Sequence, residues 1–236
     1  MEPLCLADVS SLPAAFIPRL KEVDSMFQAH EHIDSVTADP RVRPLALELN
    51  EHLRRVPIRA YHCTREPVPG YFAREGLRLT NVEAHQNEFL TRFGNRFTDS
   101  EIEDMRTEWH DYFVRGGQAR HRNGLIWFCL TEATARSEGT EVFFEHFGGE
   151  AIFMPLKRHH TIPAKLGAIG MPVVVEVRLQ PGAHSSYMTL ALPLLSAYHR
   201  TRRPDAEPCP GETHVSQPVA AHDVLSVTEV LLPHAS

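Results

Sequence analysis

The sequence contains no run of 18 or more apolar residues, the length a helix needs to cross a bilayer, so no membrane partner is expected. No Gly-x-Gly-x-x-Gly follows a strand-like run, and no Gly-x-x-x-x-Gly-Lys-Ser/Thr is present. The usual glycine-rich cradles for dinucleotides and nucleoside triphosphates are therefore missing. Gly-x-Ser-x-Gly and His-Glu-x-x-His are absent as well, which argues against a serine-elbow hydrolase and a zincin. Cysteine is scarce: Cys5, Cys63, Cys129 and Cys209 lie far apart and form no Cys-x-x-Cys pair. That spacing disfavours a disulfide framework and a structural zinc site, and it suits a reducing cytosol, the cytoplasmic location expected here. Positive charge is in the minority, with 24 Lys and Arg against 30 Asp and Glu, for a net charge of −6. A broad, sequence-blind grip on a phosphate backbone is disfavoured, because such binding comes from clustered cations that release counterions. Local basic patches remain compatible with that balance. The N-terminal stretch MEPLCLADVSSLPAAF has neither a basic start nor a long apolar core, so no secretory signal is expected.

What is present describes a globular chain. Of its 236 residues, 42% are apolar and 23% charged. A chain of this length buries about 70% of the surface its unfolded form exposes, so a core needs no covalent staples. Residues 1–57 read as a helical N-terminal segment broken by prolines: AAFIPRLKEVDSMFQAH and VRPLALELNEHLRR both repeat apolar residues every three or four positions. Pro57 stops that run. IRAYHCT (58–64) alternates as a strand, and PVPGYFAREGLRL predicts a turn and a short helix that ends on Gly76 as a left-handed cap. Residues 83–115 are polar and helix-rich, with a helix start at Asp99 and Ser100, and 116–124 read as a loop. LIWFCL (125–130) is a buried strand, Thr131 a helix cap, and VFFEHFGGE a further helix. MPVVVEVRL (171–179) is the clearest strand; YMTLALPLL fits strand or helix equally. Residues 200–220 read as a long loop before a closing strand, VLSVTEVLL. Separated strands joined by helices and long loops indicate an α+β domain over 58–236.

Fifteen histidines invite a metal. The close sets are His30 with His32 and the pair His159–His160, and sequence neighbours rarely share one ion without a converging third ligand. No metal is expected, and solvated histidines are the simpler account.

Three segments carry a resemblance. Tyr61-His62-Cys63-Thr64 is followed by Gly76-Leu77-Arg78; Gly124-Leu125-Ile126-Trp127-Phe128-Cys129 comes next; Thr228-Glu229-Val230-Leu231-Leu232 comes last. In that order they resemble the three motifs of the ADP-ribosyltransferase superfamily, in its His-Tyr-Glu branch. The branch includes the poly-ADP-ribose polymerases, and the first and third segments are most similar to DarT-like DNA-modifying toxins. The resemblance implies a fold of two small split sheets with helices, a cleft between them, NAD as substrate, and a protein or nucleic-acid acceptor that receives ADP-ribose.

It also implies roles. Cleavage of the bond between nicotinamide and ribose passes through an oxocarbenium-like state, as in glycoside hydrolysis, and a nearby carboxylate favours the developing charge. Glu229 would be that carboxylate and would orient or deprotonate the acceptor. His62 would hold the nicotinamide-side ribose and Thr64 the neighbouring one, with Cys63 between them. Trp127 stands where the family has Tyr and would stack on nicotinamide beside Phe128; Tyr71 or Phe72 would supply the opposite face. Gly76, Leu77 and Arg78 would complete the NAD site, Arg78 meeting a phosphate. Two other acids compete with Glu229: Glu150, which precedes an apolar pair and could equally open a strand, and Glu176 within MPVVVEVRL.

Each residue also has an ordinary account. His62 and Thr64 suit a half-buried strand, Trp127 and Phe128 a core, Gly76 a cap, Arg78 a solvated loop, and Glu229 an edge strand kept from aggregating by its charge. Two further functions stay open. One is a catalytically inactive binding module of the same fold. The other is a relative of the NAD-dependent RNA 2′-phosphotransferases, which would need Arg59, Arg65, Arg74 and Arg78 to converge.

Overall fold

The computed structural model describes residues 2–186 and 189–232. The chain opens with four helices: α1 (Ile17–Glu22), α2 (Asp24–Ala29), α3 (Ile33–Ala38) and α4 (Arg43–Leu53). Strand β1 (Ile58–Glu66) follows, then α5 (Tyr71–Glu75), α6 (Val82–Phe93) and α7 (Asp99–His110), which widens into a π-helical turn, Asp111–Arg115. One helical turn, α8 (Ala119–Arg122), precedes β2 (Ile126–Cys129). Then come α9 (Glu132–Ala135), α10 (Glu141–Glu145), α11 (Gly149–Leu156), α12 (Ile162–Gly167) and β3 (Met171–Leu179). The last elements are β4 (His184–Ser186), α13 (Ala191–Arg202), β5 (Glu212–Val215) and β6 (Val224–Glu229).

This mixture of helices and strands is the expected one, but the strands are differently grouped. All six join one sheet in the order β4-β5-β2-β1-β3-β6, in place of two small sheets. β1 meets β2 antiparallel with Tyr61 opposite Cys129, and β4 meets β5 antiparallel with His184 opposite Val215.

By contacts, the chain divides into two compact units. The first comprises Met1–Tyr61, Trp127–Arg136 and Val177–Val215; the second comprises His62–Ile126, Ser137–Glu176 and Ser216–Ser236. The N-terminal segment 1–57 thus lies wholly in the first unit, together with later stretches of chain.

In the first unit, α13 is the central helix, packed against α2, α3 and α4. Leu49, Leu53, Leu194 and Leu195 are fully buried there. Phe27 meets the Tyr198 ring edge-on with centroids 5.1 Å apart, and the Tyr198 hydroxyl donates to Asp24 at 2.6 Å. The amide of Leu190, just before α13, donates to the buried Asn50 side chain at 2.8 Å. Helix is therefore the outcome for the ambiguous YMTLALPLL stretch from Ala191 onward, while Tyr187 and Met188 lie outside the described residues.

In the second unit, α6, α7, α11 and α12 enclose an aromatic core that includes Phe89, Phe97, Trp109, Phe113 and Phe153. The Trp109 indole donates to the Ile152 carbonyl at 3.0 Å. α7 starts at Asp99 as expected, but its cap is Thr98, in a reciprocal capping box with Glu101. Glu101 also accepts from Thr161 and Lys165, each at 2.6 Å, and these bonds hold its carboxyl down to about 2.

Several expectations are corrected. Glu150 opens no strand: Gly148, at φ 86°, turns the chain into α11, whose second residue is Glu150. The stretch 200–220 holds β5, and 116–124 holds α8, both too short to show a period. Gly76 ends α5, yet at φ 70°, ψ −157° it is outside the left-handed helical region and in one that essentially only glycine occupies.

Candidate functional site

The second unit holds most of the residues singled out by sequence. β1 enters it at His62. Side chains alternate along a strand, so His62, Thr64 and Glu66 share one face, while Cys63 and Arg65 share the other. The two faces are tied to different parts of the unit.

On the first face, Glu66 is buried, 3% exposed, and its carboxylate accepts from the Phe72 amide at 3.1 Å. That amide is one of the donors left without a carbonyl partner in the first turn of a helix. Glu66 thereby anchors α5 to the strand face that carries His62 and Thr64. Gly170 crosses close by: a Cβ there would stand 2.4 Å from the Glu66 carbonyl oxygen.

On the other face, Arg65 is 7% exposed. Its guanidinium donates to the carbonyls of Ile169 at 2.7 Å, Gly167 at 2.8 Å and Gly170 at 2.7 Å, and also to that of Phe144. Burial pulls its pKa down from the ordinary value. Arg65 gathers the carbonyls where α12 gives way to β3 and fixes the end of β1 against them.

α5 leads directly into the Gly76-Leu77-Arg78 turn. Leu77 exchanges two backbone hydrogen bonds with Val219, at 2.8 and 2.9 Å. A Cβ on Gly76 would stand 2.1 Å from the Val219 carbonyl oxygen, so the close approach requires glycine. Leu77 itself is core, 4% exposed, as is Phe72 at 9%. The half-buried ring in this stretch is Tyr71, set edge-on to Phe72 with centroids 5.3 Å apart.

After Val219 the chain makes one 3-10 turn, Ala221–Asp223, and runs into β6; α5 packs against both. Glu229 is exposed at the last position of β6, and the next amide, Val230, donates to the Pro172 carbonyl at 2.9 Å. Ser226 donates to Glu176 on β3 at 2.9 Å. Alternation puts Glu229 on the β6 face opposite Ser226.

The structure therefore joins the Gly76-Leu77-Arg78 turn and the helix before it to the chain that leads into the third motif segment. The joining points are the backbone pairing of Leu77 with Val219 and the packing of α5 on β6. The second motif segment pairs with the first through Tyr61 opposite Cys129, and the boundary between the units falls between its Ile126 and Trp127. Trp127 and Phe128 belong to the first unit, where Phe128 is core at 2% exposed. The Trp127 ring lies against His214 with centroids 4.8 Å apart.

The competing acids are also accounted for. Glu150 pairs with Arg122 at 2.7 Å on α11. Glu176 is engaged by Ser226, which leaves Glu229 as the exposed carboxylate of the closing strand. Each of the four arginines named for a phosphotransferase has a partner within the protein. Arg59 pairs with Glu2 in the first unit at 2.9 Å, and Arg65 is spent on carbonyls. Arg74 donates to the Pro69 carbonyl at 3.2 Å, and Arg78 to Glu88 at 2.9 Å.

Sequence reasoning missed Glu66, Glu88 and Arg92. Glu66 had one visible signal, its two-residue spacing from His62 and Thr64. Glu88 and Arg92 had only the four-residue spacing of a helical ion pair. Among the described residues no group of three or more His, Cys, Asp or Glu side chains is placed to hold a metal ion. No helix among them is long and apolar enough to cross a membrane. No protein-family profile, characterised protein or solved structure matches the chain.

Proposed function

We propose that the chain is an NAD-dependent mono-ADP-ribosyltransferase, with the second unit supplying His62, Thr64, Tyr71, Arg78 and Glu229. One observation carries this: the strand face of His62 and Thr64 is anchored to α5, and α5 with its Gly76-Leu77 turn is bonded and packed onto the segment that ends in Glu229. The turn of the first motif segment and the chain leading into the third, far apart in sequence, are thus joined within one unit, which supports the reading.

In the proposed reaction the bond between ribose C1′ and the nicotinamide nitrogen breaks. Its electron pair leaves with nicotinamide and neutralises the pyridinium. The positive charge left on the ribose is met by the Glu229 carboxylate, and an acceptor nucleophile closes on C1′ as its proton passes to that carboxylate or to water. His62 hydrogen-bonds a ribose hydroxyl, for which a neutral imidazole offers both a donor and an acceptor. Tyr71 offers a ring face, and Arg78 a cation for the diphosphate. The acceptor is a macromolecule, protein or nucleic acid.

Nicotinamide release from NAD, followed by chromatography, tests the proposal. Glu229→Ala should lower kcat by roughly a hundredfold or more, the usual scale for a lost general base or electrostatic stabiliser. His62→Ala should raise KM for NAD more than it lowers kcat. If Glu229→Ala keeps full turnover and Glu150→Ala loses it, the acid is misassigned. Mass spectrometry of protein and nucleic acid after incubation with NAD identifies the acceptor by its added ADP-ribose.

The exposure of Glu229 on a strand at the end of the sheet favours a second reading, a module that binds NAD without consuming it. Saturable NAD binding with no nicotinamide release would select it.

A further inference from the structure

Beside the Gly76-Leu77 turn, two arginines and one carboxylate gather around a single aromatic ring. Arg78 donates to the Tyr71 hydroxyl at 3.2 Å and to Glu88 at 2.9 Å. The Arg92 guanidinium lies 5.8 Å from the Tyr71 ring centroid and 5.4 Å from that of Phe93. It also lies 3.7 Å from the other oxygen of Glu88. The Glu88 carboxylate thus spans two cations, one on each oxygen, with Tyr71 contacting both guanidinium groups.

The cluster is open to solvent: the Arg78, Glu88 and Arg92 side chains are 57%, 40% and 34% exposed. Exposed ion pairs of this kind contribute only about 0.2–1 kcal/mol, so Glu88 is a weakly held occupant. Two guanidiniums flanking one ring form a receptor for a bridging anion that carries more charge than a carboxylate. A diphosphate fits that description, with an oxygen for each fork and a flat group attached that can reach the ring.

We infer that Tyr71, Arg78 and Arg92 form the seat for the diphosphate of the dinucleotide, and that Glu88 is its displaceable internal stand-in. The inference rests on the transferase reading for the identity of the ligand, but not for the existence of the anion seat. Glu88 makes occupancy competitive: a monoanion on a neighbouring turn leaves only when a more highly charged group arrives. The site therefore favours dinucleotides and ADP-ribose over nicotinamide riboside, which has no phosphate.

Isothermal titration with inorganic pyrophosphate, ADP-ribose and nicotinamide riboside tests this. Because Glu88 is surface-exposed, Glu88→Gln should fold and melt as the parent protein does. It should bind pyrophosphate and ADP-ribose about three- to fivefold more tightly, the range that follows from freeing a surface ion pair, and leave nicotinamide riboside unchanged. Arg92→Gln should weaken pyrophosphate and ADP-ribose by a similar factor. An unchanged or weakened pyrophosphate affinity in Glu88→Gln overturns the inference, as does tightening that extends equally to nicotinamide riboside. Nicotinamide release from NAD is measured alongside. Tightening without NAD cleavage leaves the anion seat standing and removes the transferase; cleavage with a pyrophosphate affinity indifferent to Glu88 does the reverse.

Discussion

Arg65 and Arg78 carry the same side chain within one unit, and the chain treats them in opposite ways. Arg65 is 7% exposed, and its donors are absorbed by backbone carbonyls around the end of α12. Arg78 is largely solvated, and its partners are a hydroxyl and a carboxylate on exposed helical turns. A carbonyl within the fold cannot leave without the backbone moving. A surface carboxylate can. The same guanidinium is a fixed brace in one place and an exchangeable contact in the other, and what differs is the partner. Hydrogen bonding to Glu88 holds the Arg78 pKa above its ordinary value, whereas burial alone lowers that of Arg65.

The sharpest way to break this contrast is Arg65→Met. It leaves several buried carbonyls unpaired and should cost about 3–4 kcal/mol of unfolding free energy in urea titration. A loss under about 1 kcal/mol would show that water replaces the guanidinium readily and that Arg65 is no brace. Next in size is Gly76→Ala, which brings a methyl group onto the Val219 carbonyl at a positive φ. It should cost roughly 2–3 kcal/mol and, on the proposed transferase reading, lower nicotinamide release along with stability. Loss of activity at unchanged stability would instead assign Gly76 a direct role at the ligand. Arg78→Ala should shift stability by less than about 0.5 kcal/mol while weakening pyrophosphate binding, the reverse of the Arg65 pattern. The smallest effect concerns His146, whose ring stacks on Phe153 with centroids 4.0 Å apart, near Arg65. Burial lowers its pKa below 6.5, and the neighbouring arginine adds to this, against opposing contributions from the Pro163 carbonyl and Glu145. The neutral ring is thus favoured by folding. Its contribution is complete above pH 6.5 and disappears as the pH falls through the lowered folded-state value. His146→Gln should flatten the fall in melting temperature between pH 7 and pH 5; an unchanged slope would mean that other groups carry it.

The sequence makes some of this architecture readable and hides the rest for physical reasons. MPVVVEVRL is readable because valines packed on both faces of a strand leave a run that no amphipathic helix would show. Thr131 is readable as a cap because its hydroxyl serves a purely local donor, the Thr134 amide at 3.1 Å. α13 resists reading because a short apolar stretch satisfies helix and strand periods alike, and its packing against three other helices decides the outcome. Glu150 misleads because its strand-like neighbours, Ala151 and Ile152, are turned into a helix by Gly148. In the candidate site, the shared face of His62 and Thr64 follows from alternation alone. The bond from Glu66 to α5 does not, since it depends on where the helix docks. Arg65 is least legible: nothing local distinguishes an arginine destined for four carbonyls from one destined for solvent. Trp127 shows the limit of motif order, since sequence order alone does not tell that it belongs to the other unit.

The pairing of Leu77 with Val219 has a consequence for how the protein comes into being. Translation delivers His62, α5 and the glycine turn long before Val219, the partner that fixes the turn. Until then Leu77 has neither of those two backbone bonds, and the surface that α5 later shares with β6 is bare. A chain that has not yet reached Val219 would therefore hold His62, Thr64 and the glycine turn without the backbone partner that frames them.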